Sequence, residues 1–464
     1  MGSNFHPIGV GKTVSKIKEF REPILKNRMN TPLCPRSLQD VRRVVVINSA
    51  SRSESSLLYN LLCKLPGIYA LSGEATPFYK LNTELSICNL FESDKIPSSI
   101  LESAVDILGL SRDFLADLQH VRAGILTREI DTGEYADDLM LRLPLEWTDV
   151  EFDHAVLRTC INTALERYIS KTTVFQPEEF YLDLLDEIIK VYPGVNPFYY
   201  DISTDKTELH FPFMKVPSGP PNSLFNVEEP PFILLAPHHK ATPRDLAENT
   251  LLLKSTVDCY RMNLIEKIFP DADIRIIHLT RNPAATTNGI CDGWLHRGFF
   301  SHNLQPYFSG CSDLKELRIK GYSDIYPFGR YWWNFDLPEG WQGVVDKDLV
   351  EVCAFQWYSA NSEIVQYLSR GDKRHLSVRA ENIIMDLGSR IREFEKMLTF
   401  MDIPLDQLPF LELDSLPVVQ STLPPQHYRW KKRPDILPRL LGDPKIVALA
   451  DRFGYDKGNI AEWL

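Results

Sequence analysis

The sequence predicts an α/β fold, with a mainly parallel sheet flanked by helices, and three observations predict it. A continuous β-branched run, Val44-Val45-Val46-Ile47, leads through a polar loop into a helical pattern. Two further apolar runs, Leu251-Leu252-Leu253-Lys254 and Ile274 to Leu279, bracket an amphipathic stretch from Val257 to Phe269. A later run, Leu376-Ser377-Val378, precedes an amphipathic stretch from about Gly388 to Phe400. Short uninterrupted strands alternating with helices are the pattern of a sheet covered on both faces.

In chain order, residues 1–40 are polar and basic with scattered prolines, and are expected to form a loose arm. Residues 41–464 are expected to form one domain. After the first strand, Leu57, Leu58, Leu61, Leu62 and Leu65 give a helical pattern that Pro66-Gly67 stops. Residues 81–247 read as a large helical and loop insertion. Its clearest helix is Glu178–Tyr192, where Phe180, Leu184, Ile188 and Tyr192 recur every four residues before Pro193-Gly194. Residues 193–245 are proline-rich and predict mostly loop and extended chain.

The chain has 464 residues, enough for one to three domains. Hydrophobic residues make up 44% and charged residues 24%, which excludes a disordered or fibrous protein. Lys plus Arg number 51 against 62 Asp plus Glu, a net charge of −11. An acidic surface argues against a nucleic-acid partner, so an anion site must be a local basic pocket. The eight cysteines, Cys34, Cys63, Cys88, Cys160, Cys259, Cys291, Cys311 and Cys353, form no Cys-x-x-Cys pair, and no metal is expected. So few cysteines in so long a chain fit a reduced, cytoplasmic setting. The first residues lack the apolar core of a signal peptide, and no run approaches 18 apolar residues, so no membrane partner is expected.

Four segments carry chemistry. The loop after Ile47, Asn48-Ser49-Ala50-Ser51-Arg52-Ser53-Glu54-Ser55-Ser56, joins a buried strand to a helix N-terminus. Free N–H groups and the helix dipole favour an anion there, and Arg52 adds a cation. One or two serines would cap the helix; this many around an arginine favour an anion loop. It is not a nucleoside-triphosphatase loop, and Gly9-Val10-Gly11-Lys12-Thr13 is a decoy with no strand before it. The second segment, Ile274 to Pro283, ends a strand in Arg281-Asn282-Pro283. An arginine at a strand's end can grip a phosphate with two parallel hydrogen bonds. The third, Leu253-Lys254-Ser255-Thr256, places an ammonium at the end of another strand. The fourth, His427-Tyr428-Arg429-Trp430-Lys431-Lys432-Arg433, is basic and aromatic.

In order and spacing, these segments resemble sulfotransferases that use 3′-phosphoadenosine 5′-phosphosulfate (PAPS). Arg52-Ser53-Glu54-Ser55-Ser56 resembles the family's 5′-phosphosulfate loop, with Glu54 where glycine is usual. Thr280-Arg281-Asn282-Pro283 is similar to its 3′-phosphate motif, with Gly289 at the usual serine position and Thr286, Thr287 and Asn288 beside it. Leu253-Lys254-Ser255-Thr256, Val378-Arg379-Ala380-Glu381-Asn382-Ile383 and the basic stretch near 430 have counterparts as well. The resemblance covers residues about 41–80, 248–300 and 350–464, and implies a P-loop-like core with PAPS as co-substrate. It implies donor binding by Arg52, Ser53, Ser55, Ser56, Arg281, Asn288, Arg429 and Lys431, with Arg52 and Lys254 as catalytic cations. The general base is left open between Glu74 and Asp258, with His238, His239 and His296 as further candidates; His278 reads as a core residue. Residues 81–247 and Gly293 to Phe300 would supply the lid and pocket for a small-molecule acceptor with a hydroxyl or amine. Two alternatives stay open, a P-loop-like nucleotide kinase and a non-catalytic nucleotide-binding relative, as does a homodimer.

Overall fold

A computed structural model of the chain describes residues 8–82, 92–103, 105–221, 225–296, 299–310, 314–421 and 425–464. Cys88, Arg297, Gly298 and Cys311 lie outside the described residues.

The first strand, β1 (Arg43–Asn48), is central because it has no polar face to give to water. Val44 and Val46 join one apolar cluster, Val45 and Ile47 another, and all four are 0–1% exposed. Helices cover both faces. The helix α2 (Ser55–Leu62) and the helix Leu387–Phe400 pack on the Val45 side, and the helices Ile107–Asp117 and Met262–Ile268 on the Val44 side. The chain is thus an α/β protein with a mostly parallel sheet.

The other strands are β2 (Ile68–Ala70), β3 (Gln119–His120), β4 (His239–Lys240), β5 (Thr250–Lys254), β6 (Asp273–Thr280) and β9 (Arg374–Arg379). Their order is β4-β3-β2-β5-β1-β6-β9, with β7 (His302–Asn303) and β8 (Trp332–Trp333) in a separate ribbon. The strands from β2 to β9 in that order run parallel, whereas β3 and β4 form an antiparallel edge. The register pairs Ile47 with Lys254 and Asn48 with His278, so β1, β5 and β6 end together at one edge.

The expected strands fall within a residue or two of the observed ones. The Glu178–Tyr192 helix is Pro177–Val191. The stretch Val257–Phe269 divides into a short 3₁₀ turn, Asp258–Tyr260, and the helix Met262–Ile268. Residues 8–29, expected as part of a loose arm, instead form the helix α1 (Ile8–Met29), which absorbs the decoy at Gly9 to Thr13. Val10, Val14 and Ile17 enter the sheet's core, while Ile24 and Leu25 join the core of the insertion. Arg21 donates to Asp113 at 2.7 Å and Arg28 to Asp138 at 2.6 Å. The span 81–247 builds that second core from the helices Thr132–Glu146, His154–Ile169 and Pro177–Val191, and also supplies the β3–β4 edge.

Candidate active site

Parallel strands in register deliver their following residues to one place. The loop 49–54 leaves β1, Lys254 ends β5, and Arg281 follows β6 by one residue. β5 and β6 flank β1 on opposite sides, and the crevice beyond such carboxyl ends is where open α/β sheets hold ligands. Here it is a cavity of about 520 Å³. Arg52, Glu54, Ser55 and Ser56 line it with Glu74, Lys254, Arg281, Asn288 and Arg429. Sequence positions far apart are therefore brought together. Ser53, Asp258 and Lys431 do not line the cavity.

The anion loop turns through two left-handed residues, Arg52 (φ 64°) and Glu54 (φ 69°). Such backbone is disfavoured for side chains larger than glycine and concentrates at functional sites. Glu54 is the N-cap of α2, yet its side chain accepts no hydrogen bond from the helix. The first-turn N–H groups of α2 thus lack a side-chain cap. Ser53 lies buried behind the loop with an Oγ that has no hydrogen-bond partner.

Arg52 donates to the Gln420 carbonyl at 2.9 Å, and its guanidinium lies 5.4 Å from the Phe299 ring centroid. Burial pushes its pKa down to about 10, which leaves it cationic at neutral pH. Arg281 Nη1 donates to the Arg52 carbonyl at 3.1 Å and lies 2.7 Å from Glu54 Oε1. Its Nε is buried without a partner. Asn282 caps the next helix, Pro283–Leu295, by accepting from the Ala285 N–H at 2.8 Å. It also donates to Glu381 at 2.8 Å, so the Glu381 segment steadies the arginine-bearing turn.

Lys254 Nζ contacts Glu74 Oε1 at 2.5 Å and Ser56 Oγ at 3.0 Å. Ser56 in turn donates to Gln420 Oε1 at 2.8 Å. Ser255 Oγ and the Thr256 N–H donate to Glu74 Oε2 at 3.2 and 3.4 Å. Asp258 is fully buried near this group, and its carboxyl makes no hydrogen bond to another side chain. Burial, and next the nearby Glu74 charge, push it up to about 7.

Asn288 donates to Asp292 at 3.1 Å and accepts from Arg433. Asp292 also receives Arg433 at 2.7 Å and Arg429, which anchors the basic stretch to the helix Pro283–Leu295. Lys431 is exposed, with Nζ 4.1 Å from the Tyr428 ring centroid. His427 is the histidine in the cavity wall among the described residues; His238, His239 and His296 are not in it. Burial lowers both His238 and His278 to about 4, and His278 sits in the core as expected.

The far wall comes from the insertion. Val227, Pro230, Pro231 and Ile233 make it apolar, with Glu228 and Glu229 among them. Glu229 accepts from Ser301 at 2.8 Å and Lys80 at 3.2 Å. Glu228 lies 2.9 Å from Arg142 Nη2, and burial pushes it up to about 7. Of the aromatic stretch 293–300, Trp294 and Phe300 are core, while Phe299 reaches the cavity. Among the described residues, no group of three or more His, Cys, Asp or Glu could hold a metal ion, and no helix is long and apolar enough to cross a membrane.

Three residues that partner the arginines of the cavity wall escape sequence reasoning. Asp292 lies four residues after Asn288 on one helix, a spacing that could have exposed it. Glu54, as partner of Arg281, was visible only as a departure from a motif. Gln420 sits in a loop without periodicity, and nothing in the sequence marks it.

Neither protein-family models nor curated protein sequences match this chain. Solved structures similar to it include a sulfotransferase from Alicyclobacillus acidocaldarius, at 10% identity and TM-score 0.31 over 90% of this chain and 98% of that one. Sulfotransferase STF9 from Mycobacterium avium gives 10% identity and TM-score 0.33 over 96% of this chain and 88% of that one. Sulfotransferase STF1 from Mycobacterium tuberculosis H37Rv gives 10% and 0.32 over 97% and 98%. Similarity this low leaves the site to be read from its own residues.

Proposed function

We propose that this chain is a sulfotransferase that moves a sulfuryl group from PAPS to a hydroxyl or amine of a small cytoplasmic acceptor. One observation carries the reading. Arg52 and Arg281, far apart in sequence, meet through a 3.1 Å hydrogen bond and line one cavity with Lys254. The residues present suit the donor: two arginines, an uncapped helix start, and the unpartnered Arg281 Nε.

PAPS, when bound, would supply the sulfuryl group as a phosphosulfate. The remaining work belongs to this chain. Arg52, Ser55, Ser56 and the first-turn N–H groups of α2 bind the phosphosulfate end. Arg281, Asn288 and Arg429 bind the 3′-phosphate end. By analogy with phosphoryl transfer, negative charge builds on the leaving oxygen, and Arg52 and Lys254 stand ready to stabilise it. Glu74 takes the acceptor proton at a carboxylate oxygen, a contribution of roughly 10²–10⁴-fold. Asp258 stands behind Glu74 and adjusts the charge it feels. The apolar wall Val227–Ile233 orients the acceptor and excludes water.

A second reading, a non-catalytic nucleotide-binding relative, draws on the carboxylate that already pairs with each of Lys254, Arg281 and Arg429, and on the carbonyl that accepts from Arg52. A thermal melt with adenosine 3′,5′-bisphosphate, followed by transfer of labelled sulfate from PAPS to an acceptor panel, separates the readings. Ligand at 100 times its Kd should add about 2.7 kcal/mol of stability. Binding without transfer favours the second reading, and no binding removes both.

A further inference from the structure

Glu54 does something no capping residue needs to do. Its backbone is left-handed at φ 69°, and its side chain caps nothing in α2. Its carboxylate lies instead 2.7 Å from Arg281 Nη1, inside the cavity wall. The pair is only partly buried, with side-chain exposures of 16% for Arg281 and 31% for Glu54. The carboxylate therefore has solvent to move into, and Arg281 keeps a buried Nε without a partner. An anion arriving at Arg281 meets a carboxylate already there. It must displace that charge or sit beside it, and like charges side by side are strongly unfavourable.

We propose that Glu54 is a specificity-determining residue, a built-in competitor for Arg281 that narrows the cavity's preference for nucleotides with a second phosphate. This rests on the donor reading given above. A ligand with a single 5′-anion engages Arg52 and the start of α2 and does not contest Arg281. A ligand that also carries a 3′-phosphate gains Arg281 only at the expense of the ion pair. The chain therefore discriminates less between the two ligands than its arginines alone would.

The test compares adenosine 3′,5′-bisphosphate with adenosine 5′-monophosphate by titration calorimetry on the wild type, Glu54→Gln and Glu54→Gly. Glu54→Gln keeps the side chain's length and removes its charge, whereas Glu54→Gly relieves the left-handed backbone as well. Both variants should bind the bisphosphate about 10- to 100-fold more tightly, while the monophosphate changes less than about threefold. An equal gain for both ligands, or no gain for the bisphosphate, overturns the competitor role while the donor reading stands. If neither nucleotide binds any of the three proteins, the donor reading falls and takes this inference with it.

Discussion

A Cβ added at Gly289 would lie 3.1 Å from the Cβ of Arg52. That is closer than ordinary van der Waals contact, so the helix Pro283–Leu295 makes room for the arginine by lacking a side chain there. Gly289→Ser should push Arg52 out of place. It should weaken adenosine 3′,5′-bisphosphate binding about tenfold and cost ~1–3 kcal/mol of stability through overpacking. Calorimetry and urea melts read both. Unchanged affinity would mean that Arg52 does not bind ligand from its present position.

The three cations should separate by kinetic signature. Arg52→Ala and Lys254→Ala should each lower kcat about 10²- to 10³-fold in a folded protein, as expected for groups facing charge that develops during transfer. Arg281→Ala should act chiefly on donor KM. Circular dichroism checks the fold, and a near-normal rate in either of the first two variants removes that residue from the mechanism.

Buried acids should make the protein softer as pH rises. The Asp258 carboxyl is lifted to about 7 from 3.8 by burial. Between those values the unfolded chain releases a proton that the folded chain keeps, so stability falls with rising pH across that window. Below it both states hold the proton, and above it both have lost it. Asp336 and Glu228, each lifted to about 7, and Glu146, lifted to about 8, act in the same direction. Asp258→Asn should therefore gain on the wild type between pH 4 and pH 7 in urea melts. A stability difference that stays flat across that range would show that Asp258 ionises normally.

α1 should prove structural. Arg28→Ala strands Asp138 in a buried position, and breaking a buried pair from one side costs ~3–5 kcal/mol. Lys240, 2.7 Å from the same carboxylate, should hold the loss toward the lower end. A melting temperature equal to the wild type's would mean that α1 contributes little to the fold.

The central strands were legible because each is an unbroken apolar run with a polar exit. The exits mattered as much as the strands, since Arg52, Lys254 and Arg281 all occur at them. β2 was not legible: three residues directly after Pro66-Gly67 are too few to show a period. α1 was hidden for a different reason. Its buried stripe, Val10, Val14, Ile17, Arg21, Ile24 and Arg28, has helical spacing, but two of its members are arginines whose acidic partners lie in other helices. Charge at a buried position reads as surface until its counter-ion is known. The same limit concealed the link between Asp292 and the basic stretch at Arg429 and Arg433, and that between Glu54 and Arg281, because pairing between distant segments leaves no local pattern.

The placement of β1 between β5 and β6 also governs how the protein comes apart. Amide protons of Val44 to Ile47 should be among the last to exchange with deuterated solvent, because reaching them requires the whole sheet to open. The cation-bearing ends of the cavity follow directly from those strands, whereas Gln420, which accepts from Arg52 and Ser56, reaches them from a segment outside the sheet. The distances among Arg52, Lys254 and Arg281 should therefore survive until the final cooperative melt.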